Sequence, residues 1–268
     1  MRGKAQRSRR LNYAAMPLRT LSATRYVTPL REGGSLPAVV EADDDGMYVL
    51  KFRGAGQGRK ALIAELVAGE IARALALPVP EIVLVELDAD LGRAEPDPEI
   101  QELIRASAGL NLALDYLPGS VTFDPVADPP EAEFASRVVW FDALVTNIDR
   151  SPRNVNLLTW HRKPWLIDHG AALYFHHGAG DWPARARDGF AQVKDHVLLP
   201  YASRLAEVDA PMAARLGREE IRAILALVPD AWLDDPAQRD AYAAYLARRL
   251  EAPRPFLEEA IRARSQLV

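Results

Sequence analysis

The sequence predicts an α+β fold in two lobes, a strand-rich lobe over residues 25–117 and a helical lobe over residues 118–268. Apolar residues and turn signals over residues 38–52 indicate a β-hairpin. Residues 60–77 have the apolar spacing of an amphipathic helix, and residues 118–130 have the prolines and glycine of a linker. Because ligand sites favour clefts between lobes, we expect a site near this linker.

The elements on either side of the linker follow from the same patterns. Before it, the sequence predicts a strand at residues 82–87, a loop at 88–98, a short helix at 99–106 and a strand at 110–116. After it, a buried helix is expected at residues 131–146, followed by two short strands at 155–160 and 164–167 joined by a tight turn at 161–163. Further helices are expected near residues 202–216, 218–228, 236–250 and 255–267.

The composition argues against several kinds of site. The chain of 268 residues has a formal net charge of −4, which gives no reason to expect a nucleic-acid partner. It has no cysteine, so disulfides, thiol nucleophiles and cysteine-ligated zinc are excluded. No apolar run approaches the roughly 18 residues needed to span a bilayer. We therefore expect a cytoplasmic protein with neither a nucleic-acid nor a membrane partner.

The first 24 residues differ from the rest of the chain. They are basic and contain no acidic residue. The first acidic residue of the chain is Glu32. Such a segment can be a transit peptide, a phosphate-binding arm or a disordered tail. It has no apolar core of the kind that a secretory signal needs, and Met16 is an alternative start. The pattern over residues 1–24 favours a disordered basic extension.

Three polar residues between positions 146 and 173 are candidates for chemistry. Asp149 lies in a polar loop, Asn154 follows five residues later, and Asp168 ends the second short strand. Because a hairpin brings its ends together, Asn154 and Asp168 are expected to face the same point. Oxygen ligands beside another carboxylate fit Mg²⁺ and a phosphoryl group. Asp149 and Asn154 alone also fit an ordinary Asx turn, but a partly buried carboxylate at Asp168 favours the metal site.

A lysine and a glutamate upstream could complete such a site. Lys51 ends a predicted strand on the same face as Val49, where a lysine often pairs with an anion such as a phosphate. The alternative is an edge-strand lysine in water. Glu65 could pair with Lys51, and Glu70 is the competing choice, since only one of the two can face the cleft.

Two glycine-containing loops could also contribute. Gly33, Gly34 and Ser35 could let backbone amides approach phosphates, although adjacent glycines before a strand are often only a turn. Residues 54–58 could be a lid or a plain connector. The chain has neither a Gly-x-x-x-x-Gly-Lys-[Ser/Thr] nor a Gly-x-Ser-x-Gly motif, which argues against a P-loop NTPase and a nucleophile elbow.

Taken in order, these loops, the strand lysine, the helix glutamate, the linker, the Asp-x₄-Asn loop and the Asp-x-Gly turn resemble a protein-kinase-like fold. More narrowly, the chain resembles the HipA family of bacterial serine/threonine kinases, in its shorter single-domain branch. The resemblance covers about residues 24–175, through REGGSLPAVVEADDDGMYVLKFRGAGQG, AELVAGEIARALALPVPE, GLNLALDYLPGS, NIDRSPRNVNLL and LIDHGAAL. One departure is His169, which stands where protein kinases have the phenylalanine of Asp-Phe-Gly.

The resemblance implies a role for each candidate residue. Asp149 would be the catalytic aspartate, and Asn154 and Asp168 would bind Mg²⁺. Lys51 would contact the ATP phosphates, with Glu65 as its ion-pair partner. The remaining nucleotide contacts would come from a phosphate-covering loop and an adenine-side hinge, namely Gly33, Gly34, Ser35, Leu114, Tyr116 and Leu117.

We therefore expect an ATP- and Mg²⁺-dependent kinase that transfers the γ-phosphoryl group to a hydroxyl, more readily on a protein serine or threonine than on a lipid. The alternatives are a nucleotide-binding pseudokinase that acts as a regulatory module, and a lipid or small-molecule kinase on the same fold. The basic N-terminus leaves the lipid alternative open.

Overall fold

The computed structural model describes residues 17–30, 36–178 and 180–267. Residues 1–16 lie outside the described residues, and so do Gly33, Gly34 and Ser35, for which the sequence predicts the phosphate-covering loop.

Strands of the N-terminal half close into a barrel. Within the described chain these are β1 (Thr20–Pro29), β2 (Ala38–Ala42), β3 (Met47–Lys51), β4 (Ile82–Leu87) and β5 (Gly109–Asp115). Their order is β1-β2-β3-β5-β4, and a parallel pairing of β1 with β4 closes the barrel. The predicted hairpin and the strands expected at 82–87 and 110–116 are confirmed.

The start of β1 corrects the predicted disordered extension over residues 1–24, because residues 20–24 belong to this strand. The segment has no acidic residue of its own, which made it look disordered. Its acidic partners lie on other parts of the chain. Arg19 Nε lies 2.9 Å from Glu81 Oε1, and Arg25 pairs with Glu41 on β2.

Helix α1 (Arg59–Ala74) joins the barrel to the rest of the protein. The sequence predicts an amphipathic helix, yet nearly every side chain between Leu62 and Ala72 is buried. The reason is that α1 has the barrel on one side and the C-terminal helices on the other, and its side chains share a hydrophobic cluster with those helices. At Gly69 a Cβ atom would lie only 2.5 Å from Ile82 Cδ1, so glycine permits the close approach to β4. A 3₁₀ turn (Ala89–Ala94) lies within the predicted 88–98 loop, and α2 (Pro98–Ala106) follows it.

The C-terminal half begins with α3 (Ala132–Val145) and a second small sheet. The sheet consists of β6 (Val121–Thr122), β7 (Leu157–Trp160) and β8 (Lys163–Leu166), in that order. The predicted hairpin is confirmed, and its turn has positive φ at two residues, 48° at His161 and 62° at Arg162, as a type I′ turn requires. The predicted linker at 118–130 is wrong in one respect, because β6 within it pairs with β7.

Helices make up most of the remaining chain. The predicted helices are confirmed, with shorter ends, as α5 (Leu205–Ala213), α6 (Arg218–Leu225), α7 (Gln238–Arg249) and α8 (Pro255–Ser265). Short elements that the sequence did not predict are α4 (Trp182–Arg185) and 3₁₀ turns at Tyr174–His177, Ala191–Asp195, Leu199–Tyr201 and Asp230–Trp232. Elements of three to five residues are too short to give a periodic signal.

The apolar side chains of the described chain form two clusters. One fills the barrel and includes Tyr48 and Leu50. The larger cluster runs from α1 through the C-terminal helices, where the rings of Trp140 and Phe256 meet edge to face at 5.5 Å. The site described below lies where α1 and β3 approach the loop after α3. Among the described residues, no helix combines the length and apolar character that crossing a membrane requires.

Candidate active site

Lys51 points from the last position of β3 towards two carboxylates. The alternation along the strand buries Tyr48 and Leu50 in the barrel and places Val49 and Lys51 on the other face, as predicted. Lys51 Nζ lies 2.7 Å from Asp168 Oδ1 and 3.7 Å from Glu65 Oε2. Burial by itself would lower the pKa of Lys51, but the two carboxylates outweigh it and raise that pKa, so the ammonium is charged.

Glu65 is the glutamate of α1 that faces this lysine. Its side chain is 1% exposed, and its Oε1 lies 3.4 Å from Nδ1 of the buried His169. Burial opposes ionisation of Glu65, but the charge of Lys51 and the contact with His169 hold its pKa below the usual range. Glu70, the competing choice, turns away and pairs with Arg73 at 3.0 Å.

The loop that carries Asp149 is fixed to the end of α3 by a buried carboxylate. The helix ends at Thr146, which has a left-handed conformation with φ 53°. Asp142 on α3 accepts hydrogen bonds from Asn147 Nδ2 at 2.8 Å and Arg150 Nε at 2.6 Å. It accepts a third from His196 Nε2 at 3.0 Å, because His196 Nδ1 is itself the acceptor for the Leu198 amide.

This anchor determines where Asp149 points. Burial would raise the pKa of Asp142, but Arg150 and His196 outweigh it and hold that pKa well below the usual range, so the carboxylate is ionised. Arg150 also donates to the carbonyl oxygen of Asn156 and, at 3.5 Å, to that of Ile167. A single buried guanidinium therefore ties the loop to both strands of the β7–β8 hairpin.

Asp149 and Asn154 are in direct contact. Asn154 Nδ2 donates to Asp149 Oδ2 at 2.7 Å, and Asn156 Nδ2 approaches the same oxygen at 3.3 Å. The amide oxygen of Asn154 is thereby left available to a ligand. Burial, and next to it the negative charge of Asp168, raise the pKa of Asp149 even though the two asparagine contacts oppose the shift. A raised pKa makes this carboxylate a better proton acceptor than an exposed aspartate.

The hairpin brings Asp168 back to the same place, as the sequence predicts. The chain turns sharply there because Asp168 itself has φ 53°. Gly170, the glycine of the Asp-x-Gly turn, has no positive φ. A Cβ atom at Gly170 would lie at ordinary contact distance, 3.6 Å, from Asp168 Oδ1 and from Glu65 Oε2.

These side chains line one cavity of about 470 Å³. It brings together the predicted residues Lys51, Glu65, Asp149, Asn154 and Asp168, and it is also lined by Phe52, Ala55, Gly56, Gln57, Ala61, Leu62, Ile148, Gly170, Ala171, Tyr174 and His177. The loop over residues 54–58 therefore borders the cavity, which the sequence left undecided. Sequence reasoning missed Tyr174 and His177; the only signal was their place a few residues after the Asp-x-Gly turn.

Three predicted residues do not line this cavity. Leu114 and Leu117 are 4% and 5% exposed, with Leu114 packed in the larger cluster. The backbone amide of Tyr116 is bonded to Met47. The adenine-side hinge predicted at these three residues stays a prediction. Leu114 lies opposite Val49 in the pairing of β3 with β5, on the face of the strands that packs against α1.

The arrangement can bind an anion next to a hard cation. Lys51 supplies a positive charge, while Asp168 and the amide oxygen of Asn154 are hard oxygen donors. No group of three His, Cys, Asp or Glu within the described ranges could hold a metal ion without other ligands. A divalent ion here would need oxygens from a ligand such as a phosphate chain, which is how Mg²⁺ is usually bound in phosphoryl-transfer sites.

Comparisons with known proteins relate the chain to one family. A family model described as HipA-like kinase matches residues 24–253. No curated protein sequence matches the chain significantly.

Solved structures share the fold at low sequence identity. One is a Helicobacter pylori proinflammatory kinase, CtkA, with a TM-score of 0.61 and 12% identity over 94% of this chain and 100% of that one. Another is the Golgi casein kinase with Mn/ADP bound, with a TM-score of 0.51 and 11% identity over 92% of this chain and 73% of that one. A second structure of the Golgi casein kinase gives a TM-score of 0.50 at 12% identity, over 93% and 73%. At these identities the likeness shows a protein kinase-like fold.

Proposed function

The chain belongs to the HipA-like kinase family, and from this premise we propose that it is an ATP- and Mg²⁺-dependent kinase that phosphorylates serine or threonine hydroxyls of a protein. Family membership supports phosphoryl transfer. What we propose beyond it is the identity of the nucleotide, of the metal ion and of the acceptor. We assign residues 25–117 and 118–268 to two lobes with the cavity between them.

The observation that carries the proposal is the convergence of five polar side chains on one cavity. Lys51 Nζ lies 2.7 Å from Asp168 Oδ1, and Asn154 Nδ2 lies 2.7 Å from Asp149 Oδ2. These residues come from β3, from the loop after α3 and from the end of the hairpin. These side chains face about 470 Å³ of open space, a volume in the range of ligand pockets.

The residues present fit a metal–nucleotide complex. Asp168 and Asn154 would hold Mg²⁺ through oxygen atoms, and Lys51, kept in place by Glu65, would contact the phosphates. When bound, Mg²⁺ neutralises charge on the phosphate chain. The solved Golgi casein kinase with Mn/ADP bound supports the use of a nucleotide and a divalent ion on this fold.

Asp149 is the residue we assign to proton transfer. It accepts the proton of the acceptor hydroxyl while that oxygen bonds to the γ-phosphorus and ADP leaves. Asn154 and Asn156 hold one of its oxygens, which orients the carboxylate. Burial and the charge of Asp168 raise its pKa and so its affinity for the proton.

A protein acceptor is favoured over a lipid by the charge of the chain. The formal net charge is −4, and the exposed apolar residues at the cavity, Ile148 and Tyr174, are too few to enter a bilayer surface. Both line the cavity together with Asp149 and could contact a peptide.

The test separates binding from turnover with Asp149→Asn. We expect this variant to bind ATP and Mg²⁺ nearly as well as the wild type, and to lose at least about a hundredfold in phosphate transfer because no base remains at the acceptor. Transfer from radiolabelled ATP would be measured to the protein itself, to dephosphorylated casein and to phosphatidylinositol vesicles.

The matched control is Asp128→Asn, since this exposed side chain makes no hydrogen bond or ion pair to the described part of the chain. Wild-type protein that binds ATP without transferring phosphate to any acceptor would contradict the proposal in favour of a pseudokinase. Transfer to the vesicles alone would contradict the protein acceptor.

A further inference from the structure

A line of hydrogen-bonding groups runs from the protein interior to the cavity. Tyr242 Oη on α7 lies 2.9 Å from His176 Nδ1, and His176 Nε2 lies 3.1 Å from His177 Nε2. His176 is fully buried, whereas His177 is partly exposed and lines the cavity. None of these three residues has a part in the mechanism proposed above.

The backbone holds the two histidines in place. They end the 3₁₀ turn Tyr174–His177, which follows a left-handed residue, Leu173, with φ 52°. The ring of Phe175 stacks on Tyr245 of α7 with centroids 3.6 Å apart. From the other side, Lys60 Nζ donates to the carbonyl oxygen of His176 at 2.8 Å. The turn is thus fixed between α1 and α7.

The hydrogens along this line can be assigned by counting donors. The hydroxyl hydrogen of buried Tyr242 needs an acceptor, and its contact with His176 Nδ1 provides one. His176 then has its hydrogen on Nε2 and donates to His177 Nε2. His177 in turn must have its hydrogen on Nδ1. The reverse direction would leave the Tyr242 hydroxyl hydrogen buried without an acceptor, which costs more.

Both rings are neutral, as this assignment requires. Burial, together with the neighbouring His177 and the charge of Lys60, lowers the pKa of His176 to about 3. Burial and Lys60 also lower the pKa of His177 below its usual value. The outer ring therefore presents a neutral N–H donor, and the described chain offers no partner for its Nδ1.

We propose that His177 is a ligand-binding residue that donates its Nδ1–H to a phosphoryl oxygen of the nucleotide, and that Tyr242 acts through His176 to set the required tautomer. The proposal rests on the proposed function, since it names a further contact to the same ligand. A phosphoryl oxygen is the matching acceptor because the same cavity is lined by Lys51, the residue assigned to the phosphates, and by Asp168, assigned to their metal ion. Unlike Lys51, this neutral donor would orient the phosphoryl group through a directional hydrogen bond and would add no charge to the site.

The first measurement is the tautomer itself, read by ¹⁵N NMR of the imidazole nitrogens in the full chain with labelled histidine. We expect hydrogen on Nδ1 of His177 and on Nε2 of His176, and a change of the His177 Nδ1 signal when ADP and Mg²⁺ are added. In Tyr242→Phe the donor to His176 is gone, so we expect His177 to lose its fixed Nδ1–H form. Tyr245→Phe removes a hydroxyl three positions further along α7 that does not touch His176, and should leave the tautomer unchanged.

The second measurement is the Kd for ATP with Mg²⁺. His177→Ala should weaken binding about fivefold to tenfold, the usual effect of losing one hydrogen bond. His177→Gln, which still has an N–H donor, should restore part of that loss. A merely structural role would change thermal stability in both variants without this difference in Kd.

The outcomes distinguish this inference from the proposed function. If wild type and His177→Ala bind ATP equally, or if His177 has its hydrogen on Nε2, the inference is wrong while the kinase assignment is unaffected. If the wild type does not bind ATP at all, the proposed function fails, and the inference fails with it.

Discussion

Two charge clusters of the molecule differ in their access to solvent. In the cluster of Asp142, Arg150 and His196, both carboxylate oxygens accept hydrogen bonds and the side chains are 0–3% exposed. In the cluster of Lys51 and Asp168 the side chains are 12% and 36% exposed and border the cavity. The first cluster is closed to ligands, and the second is open to them.

The difference in exposure indicates different roles for the two clusters. The closed cluster fixes the geometry of the loop, because Arg150 also bonds the carbonyl oxygens of Asn156 and Ile167. Buried atoms without a hydrogen-bond partner occur at both clusters, Arg150 Nη2 in the first and Glu65 Oε2 and His169 Nε2 beside the second, so they do not distinguish the two. Access to the cavity does, because only the side chains of Lys51 and Asp168 can reach a ligand. We therefore expect mutations in the first cluster to affect folding and mutations in the second to affect activity.

The largest expected effect on stability is that of Arg150→Met. The change leaves the buried carboxylate of Asp142 without its cation, which costs about 3–5 kcal/mol in comparable cases. Urea denaturation would measure the free energy of unfolding. Arg153→Met is the control in the same loop, since its exposed side chain makes no contact of this kind within the described ranges. A loss below about 1 kcal/mol in Arg150→Met would show that the cluster does not hold the loop.

A smaller effect on stability but a large effect on activity is expected for Lys51→Met. Glu65 loses its cation, but the cavity admits water, so we expect a loss of about 1–3 kcal/mol. Phosphate transfer should fall by at least about a hundredfold, because the positive charge at the phosphates is gone. Lys163→Met on the exposed hairpin is the control. Equal stability losses for Lys51→Met and Arg150→Met would remove the distinction between the two clusters.

The smallest expected effect is that activity and the folded structure are lost at different pH values on the acid side. The pKa of Asp142 is lowered in the folded state, so its contribution to stability is complete above the unfolded value, about 3.9, and is lost as the pH falls further. The pKa of Asp149 is raised, so the base is protonated at a higher pH. Activity should therefore decline on the acid side while the fold is intact. A pH–rate profile and circular dichroism on the same samples would test this, and coincident transitions would contradict it.

Much of the fold could be predicted because its longer elements have clear periodicity. The strands at 82–87 and 110–116 and the longer helices, α1 to α3 and α5 to α8, follow from local patterns. The start of β1 could not, because the acidic partners of Arg19 and Arg25, Glu81 and Glu41, lie far from them in the sequence. Closure of the barrel likewise depends on a parallel pairing between β1 and β4, which are separated by more than 50 residues.

The candidate site was predictable where residue type and spacing coincide with a turn. The hairpin placed Asp168 beside Asn154, and strand alternation placed Lys51 on the outer face of β3. The support of the loop was not predictable, since Asp142 and His196 are 54 positions apart. The role proposed for His177 was not predictable either. It depends on a contact of its neighbour His176 with Tyr242, 66 positions along the chain.

A thermal shift with ATP, with and without Mg²⁺, on the wild type and on Asp168→Ala tests the metal–nucleotide site itself. A ligand at a hundredfold excess over its Kd stabilises the folded state by about 2.7 kcal/mol, which is readily measured as a rise in Tm. We expect a Mg²⁺-dependent rise in Tm in the wild type that Asp168→Ala abolishes. An equal rise in both proteins, or none in the wild type, would contradict a metal–nucleotide site at this cavity.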